Sequence, residues 1–165
     1  MNDASSTNDE FTDSVASQES ATSRSARPSH PSRRIEAVFP SVSGAGAEFV
    51  DMVVKELELR ECSPQELFHA QLALDEAITN AIEHGNKFDP TKSVRVVADI
   101  DDSRALFSVQ DEGPGFPFWD LPDPTQEENL DKPCGRGVFL IRNLMTNIHF
   151  NDVGNCLYME LRFPS

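Results

Sequence analysis

The chain has 165 residues and a formal net charge of −14, from 14 Lys and Arg against 28 Asp and Glu. This length fits one domain, and so negative a charge disfavours a nucleic-acid partner and an anionic membrane surface, because both carry phosphates that it would repel. Its three cysteines are widely spaced and form no Cys-x-x-Cys pair, unlike a disulfide framework or a zinc site. We therefore expect a soluble, reduced, cytoplasmic protein with no membrane span and no signal peptide.

Residues 1–32 differ in composition from the rest of the chain. They are mostly Ser, Thr, Asn, Asp and Glu, with few apolar side chains. Such a segment cannot bury enough apolar surface to offset the entropy lost on ordering. We predict a disordered, acidic, Ser-rich tail over residues 1–32 and a folded domain over residues 33–165. The tail serines are candidate phosphorylation sites, although a solvated leader is the simpler interpretation.

The remaining sequence predicts strands and helices in mixed order. Apolar alternation predicts strands, apolar residues at helical spacing predict helices, and Ser63-Pro64 with Glu66 forms a capping box that begins the second helix. In chain order we expect a strand at 35–39, helices at 45–59 and 63–84, a hairpin of strands at 94–100 and 105–109, a long loop at 112–135, a helix at 136–146 and strands at 148–152 and 156–163. Gly85 is expected to end the second helix in a left-handed cap. Antiparallel hairpins mixed with helices predict an α+β fold, a two-layer sandwich whose mixed, mostly antiparallel sheet is covered on one face by helices.

A polar pair on the second predicted helix is the first candidate site. Glu76 and Asn80 lie one turn apart, on the side opposite the apolar residues. A carboxylate can take up a proton, and an amide oxygen can ligate Mg²⁺ without adding charge. A polar helix face is more often simply solvated, so the pair alone is a weak signal.

Two glycine-containing motifs follow. In residues 111–116, Asp111 offers a hydrogen-bond acceptor for an adenine amino group, and Gly113 and Gly115 let the backbone approach a flat base. The alternative is an ordinary Pro-Gly turn. The second motif, Gly135-Arg136-Gly137, precedes a predicted helix and suits phosphates, which favour a helix N-terminus. The alternative is a loop hinge before an amphipathic helix.

In this order and spacing the three motifs resemble the Bergerat-fold (GHKL) ATPases and kinases, in particular their branch of anti-sigma factor serine/threonine-protein kinases. Residues 74–85 are similar to the N box of that branch, residues 111–116 to its first glycine box, and residues 121–142 to its lid and second glycine box. The likeness covers roughly residues 33–163. It implies that the folded part is a histidine kinase/Hsp90-like ATP-binding domain.

The resemblance also implies cofactors and residue roles. ATP and Mg²⁺ are the implied cofactors, with Asn80 as a metal ligand and Asp111 as the residue that reads adenine. Glu76 is implied as the base that accepts the proton of a protein serine hydroxyl as it attacks the γ-phosphate. The implied pocket is completed by four glycines and two basic residues: Gly113, Gly115, Gly135, Gly137, Lys132 and Arg136.

One position departs from the pattern of the branch. Some members place an arginine where this chain has Pro133, and that arginine can serve the γ-phosphate. If neither Lys132 nor Arg136 compensates, nucleotide binding would survive while phosphoryl transfer weakened.

The implied activity is that of an anti-sigma factor. It would phosphorylate a small antagonist protein of the STAS type and alternately hold a sigma factor, with no nucleic-acid or membrane partner; a homodimer is also allowed. The rival interpretation is a binding module of the same fold, for which ATP is a ligand that shapes the partner surface. A third interpretation is an interaction protein with an inactive pocket. It is disfavoured because Glu76, Asn80, Asp111 and both glycine pairs are all present.

Overall fold

The computed structural model describes residues 29–117 and 135–164. The elements in chain order are β1 (Arg33–Pro40), α1 (Ala47–Leu59), α2 (Pro64–Asn80), a π-helical turn (Ala81–Gly85), β2 (Ser93–Ile100), β3 (Arg104–Gln110), α3 (Arg136–Leu144), β4 (Asn147–Phe150) and β5 (Cys156–Arg162). The strands form one sheet in the order β1-β2-β3-β5-β4, with every neighbouring pair antiparallel. The predicted α+β fold is confirmed, although the described sheet is antiparallel throughout and not mixed as predicted.

The core lies between one face of the sheet and the helices. Along β3 and β5 every second side chain is buried, including Phe107, Val109 and Met159, and the intervening residues are more exposed except for Cys156. These side chains join the apolar faces of α1 and α2 in one cluster, around residues such as Phe49 and Leu74. Burial of this kind contributes roughly 25 cal/mol per Å² of apolar surface. The sheet is therefore covered by helices on one face, as its alternating pattern predicts.

Helix α2 begins as predicted and ends differently. The Ser63 hydroxyl accepts the Glu66 N–H at 3.2 Å, and the Glu66 carboxylate accepts the Ser63 N–H at 2.5 Å, which completes the capping box. The prediction of a left-handed Gly85 was wrong, because positive φ falls instead on Lys87 (58°) and Phe88 (56°). The last turn widens, so that the N–H of Asn86 bonds to the Ala81 carbonyl, five residues back.

Two later elements are shorter than predicted. Helix α3 ends at Leu144, since Met145 is already extended (ψ 151°). Strand β4 ends at Phe150, because the Asn151 side chain caps the following turn and accepts the N–H groups of Gly154, Asn155 and Cys156 at 2.9–3.1 Å. An asparagine that bonds to nearby backbone in this way offers an alternative to the strand ladder.

Contacts with the domain begin before Arg33, within the segment that composition assigned to the tail. The N–H of His30 donates to both carboxylate oxygens of Asp102, at 3.1 and 2.9 Å. The guanidinium of Arg60, which is only 2% exposed, donates to the Pro31 carbonyl at 2.7 Å and to Asp102 at 3.0 Å. Residues 1–28 lie outside the described residues. Among the described helices, none has the length and apolar character needed to cross a bilayer.

Candidate functional site

A cavity of about 650 Å³ opens beside α2, where the end of β3, the β4–β5 turn and the start of α3 converge. Small-ligand and cofactor sites usually measure about 300–1,000 Å³. Seven of the nine predicted site residues line its wall: Glu76, Asn80, Asp111, Gly115, Gly135, Arg136 and Gly137. Gly113 lies beside the cavity, and Lys132 lies outside the described residues, as do Pro133 and the rest of the predicted lid over residues 118–134. Three motifs distant in sequence therefore meet in one cavity.

Glu76 and Asn80 face the cavity from the last turns of α2. Both are half-buried, and the Asn80 Nδ2 donates a hydrogen bond of 3.2 Å to the Glu76 Oε1. This bond uses the amide nitrogen and leaves the Asn80 Oδ1, the atom that a hard cation prefers, as the available group. In the described ranges no three His, Cys, Asp or Glu side chains are grouped to hold a metal. The donor set fits Mg²⁺, which proteins usually bind through one or two side chains with phosphate and water completing the octahedron.

Asp111 enters the cavity from the end of β3. Its N–H donates to the Asn155 carbonyl at 3.0 Å, and its Oδ1 accepts the N–H of Gly113 at 2.7 Å. Burial raises the pKa of this carboxyl group, while the Gly113 hydrogen bond and the Lys92 charge act against the rise. One carboxylate oxygen is fixed by the turn, so the other can accept a hydrogen bond from a ligand amine.

Glycines let two parts of the backbone approach the functional side chains, and a third glycine shapes the start of α3. A Cβ on Gly137 would overlap the Glu76 carboxylate and lie 2.8 Å from the Asn80 Nδ2. A Cβ on Gly85 would lie 2.5 Å from both Asp111 carboxylate oxygens. Gly135 caps α3 with a φ of 88° in the left-handed region. The first turn of α3, with its N–H groups and the positive end of the helix dipole, is therefore held directly against Glu76 and Asn80.

The glycines of the first glycine box also have a structural basis that was not predicted. A Cβ on Gly113 would overlap the Gly85 carbonyl, and a Cβ on Gly115 would overlap that of Val153. Gly115 also has a φ of 76°. Close packing against the π-helical turn therefore restricts residue 113 to glycine, and close packing against the β4–β5 turn restricts residue 115, in addition to any approach to a base.

Three further wall residues were not among the predicted site residues, although the sequence places His84 on the same helix face as Glu76 and Asn80. His84, Lys87 and Asn155 line the cavity. His84 follows Asn80 by four residues, so its helical spacing was a usable signal. Lys87 reaches the wall after a backbone turn with positive φ, and Asn155 comes from a distant hairpin, so neither carried a sequence signal.

The arrangement fits a nucleotide. Glu76 lies on α2 beside Gly137, whereas Asp111 lies beside Gly85, beyond the π-helical turn, so the two carboxylates occupy different parts of the wall. A ligand that reaches both must be elongated. Asp111 offers an acceptor toward one end, and the N-terminus of α3 with Arg136 offers positive potential toward the other.

Comparisons with known proteins agree with this geometry. Residues 41–161 match the histidine kinase-like ATPase domain family. The anti-sigma F factor of Geobacillus stearothermophilus is 33% identical over 87 residues, which cover 50% of this chain and 58% of that protein. The anti-sigma F factor of Shouchella clausii (strain KSM-K16) is 32% identical over 103 residues, which cover 58% and 69%. The chain spans little more than half the length of the first of these relatives.

A solved structure, that of the RsbU and RsbW domains of Rv1364c from Mycobacterium tuberculosis, has a TM-score of 0.55 at 16% identity. The match covers 80% of this chain and 32% of that one, and it shows a shared fold. The family match covers well over half of the chain and contains all three motifs. The chain therefore belongs to the histidine kinase-like ATPase domain family, in the branch that contains the anti-sigma F factors.

Proposed function

We propose that the chain is an ATP-dependent protein-serine kinase that acts as an anti-sigma factor. It phosphorylates a small STAS-type antagonist and alternately holds a sigma factor. The observation that carries the proposal is the Glu76 carboxylate, which faces the cavity, is hydrogen-bonded to Asn80 and lies against the N-terminus of α3. A nucleotide-binding family needs no such base for binding alone, whereas transfer to a serine hydroxyl benefits from one.

Each residue has a distinct role in this proposal. Asp111 accepts a hydrogen bond from the adenine amino group and so orients the nucleotide. The Asn80 Oδ1 ligates Mg²⁺, while the N–H groups of the first turn of α3, together with Arg136, hold the phosphates. Glu76 accepts the proton of the incoming serine hydroxyl at a carboxylate oxygen. ATP supplies the γ-phosphoryl group that the serine oxygen receives.

The alternative is a regulatory module that binds ATP and partners without phosphoryl transfer. Pro133, in place of the basic lid residue of some relatives, favours it. Loss of that charge reduces stabilisation of the γ-phosphate during transfer, while Asp111 and Asn80 still support binding. A cytoplasmic location and a homodimer remain predictions.

The decisive experiment uses the full chain, Mg-ATP and the STAS-type protein encoded nearest to its gene. We expect ADP release together with phosphoserine on the STAS-type protein, detected by mass spectrometry, and loss of both with Glu76→Gln. If the STAS-type protein binds the chain and ATP binding is saturable, the absence of phosphoserine would favour the regulatory module. Absence of ATP binding would exclude both functions.

A further inference from the structure

Asn86 is a fully buried polar side chain near the cavity, although it does not line the wall. It is 0% exposed and follows the π-helical turn at the end of α2. Its Nδ2 donates to the Ser41 hydroxyl at 2.6 Å and to the Ser93 carbonyl at 2.9 Å. Its Oδ1 accepts the backbone N–H of Glu112 at 2.8 Å. The orientation of the amide is fixed by chemistry, because a carbonyl can only accept and a backbone N–H can only donate.

Through these bonds Asn86 joins three segments that are far apart in sequence. Ser41 follows β1 and is itself 0% exposed, Ser93 begins β2, and Glu112 immediately follows Asp111. The Glu112 carboxylate in turn accepts the Ser93 N–H, which closes the network from the other side. Asn86 and Ser41 are fully buried, and both the Nδ2 and the Oδ1 of Asn86 are paired. This arrangement is therefore strongly preferred, since each unmade bond of the buried amide would be costly.

The turn that carries Asp111 is also held from the β4–β5 side. The Asn155 carbonyl accepts the Asp111 N–H at 3.0 Å, and the Asn155 Nδ2 lies 3.3 Å from the Asp111 carbonyl. The Asn155 Nδ2 also lies 3.4 Å from the Gly113 carbonyl, so Asn155 holds both ends of the turn. The Asn86 bond fixes the Glu112 peptide between them, after which the chain turns back to place the Gly113 N–H on the Asp111 carboxylate. The direction of that carboxylate therefore depends on the peptide that Asn86 holds.

We infer that Asn86 is a positioning residue for base recognition: it aims the Asp111 carboxylate at the adenine amino group by holding the Glu112 peptide. The inference rests on the proposed function, because it takes Asp111 as the adenine acceptor. It predicts that changes at Asn86 alter selectivity between bases more than they alter phosphate binding. Inosine triphosphate is a suitable probe, because it has a carbonyl in place of the adenine amino group and shares the ribose and the phosphates.

The test compares dissociation constants for Mg-ATP and Mg-inosine triphosphate in the full chain, well below the melting temperature. We expect Asn86→Leu to reduce the preference for ATP about tenfold, since a hydrogen bond to a charged group is lost or misdirected. Ser41→Ala is the matched control, because it removes another bond of the same buried amide and leaves the Glu112 bond in place. Its ATP preference should stay within about twofold of the parent. In an Asp111→Ala background, Asn86→Leu should have no further effect on the preference.

An unchanged preference in Asn86→Leu, or an equal loss in Ser41→Ala, would overturn the positioning role. If Asn86→Leu does not fold, Asn86→Ser, whose side chain is too short to reach the Glu112 N–H, gives the same comparison. A parent chain that binds both nucleotides equally, or an Asp111→Ala variant that keeps the ATP preference, would instead remove the proposed role of Asp111 itself. These outcomes distinguish a failure of the positioning role of Asn86 from a failure of base recognition by Asp111.

Discussion

Gly137→Ala should impair phosphoryl transfer while leaving the domain folded. The new methyl group would overlap the Glu76 Oε1, and it would lie 2.9 Å from the Glu76 Cδ and 2.8 Å from the Asn80 Nδ2. Ordinary contact begins at about 3.4 Å. The Glu76 carboxyl carbon must therefore retreat by about 0.5 Å, the difference between 3.4 and 2.9 Å, and its overlapped oxygen must move further.

The flexible side chain, and not the backbone, should absorb this movement. Glu76 is half-buried and can rotate, at the cost of its 3.2 Å hydrogen bond from Asn80. The lost hydrogen bond costs about 0.5–1.5 kcal/mol, and alanine returns up to about 1 kcal/mol relative to glycine within a helix. The free energy of unfolding should therefore change by less than about 1 kcal/mol. Misplacement of a catalytic group by about 1 Å can reduce the rate about 10²-fold.

The assay measures thermal unfolding, ATP affinity and transfer to the antagonist on the same preparation. Asn143→Ala is the matched control, because it places the same residue on the exposed side of α3, away from the cavity. We expect the control to transfer at the parental rate and Gly137→Ala to be slower by one to two orders of magnitude, about 10–10²-fold. Transfer at the parental rate in Gly137→Ala would refute the idea that the position of Glu76 limits the reaction. A fall in melting temperature large enough to explain the slower transfer would refute the argument that the Glu76 side chain moves in place of the backbone.

Glu76→Gln should keep ATP affinity and slow transfer by about 10²–10⁴-fold, because the amide preserves shape without accepting the proton. An unchanged rate in single-turnover kinetics would show that another residue is the base. Asp111→Asn should weaken ATP binding by about 1–3 kcal/mol, measured by calorimetry, since its amide can present a donor to the adenine amine. The same variant should be more stable at neutral pH, because burial raises the pKa of Asp111 and makes its ionised form costly in the folded state. This gain should shrink as the pH falls through that raised pKa, and a gain that is constant with pH would contradict the burial argument. Deletion of residues 1–28 should leave the melting temperature unchanged. Deletion of residues 1–32 should lower the free energy of unfolding by about 1–3 kcal/mol, because the buried Arg60 loses the Pro31 carbonyl as an acceptor. Equal melting temperatures for the two deletions would show that this contact contributes little.

The local features of the fold could be predicted from the sequence. The capping box at Ser63 and Glu66, the hairpin of β2 and β3 and the alternation along β5 depend on neighbours within a few residues, and these neighbours are visible in the printed order. Glu76, Asn80 and Asp111 could be recognised as candidate site residues for the same reason, since each occurs in a short motif. The expectation that these residues share one pocket came from the family resemblance and not from periodicity.

Tertiary structure decided how the site is assembled. Gly85 was expected to supply a left-handed cap, yet its role is to leave space for Asp111, which is 26 residues further along the chain. Asn86 looked like an ordinary residue after a helix, but its partners lie 45, 7 and 26 residues away. A sequence pattern reports which side chains repeat along one helix or strand, whereas these contacts depend on where separate segments cross. Only the packed chain, in which each buried polar group must find a partner, determines those crossings.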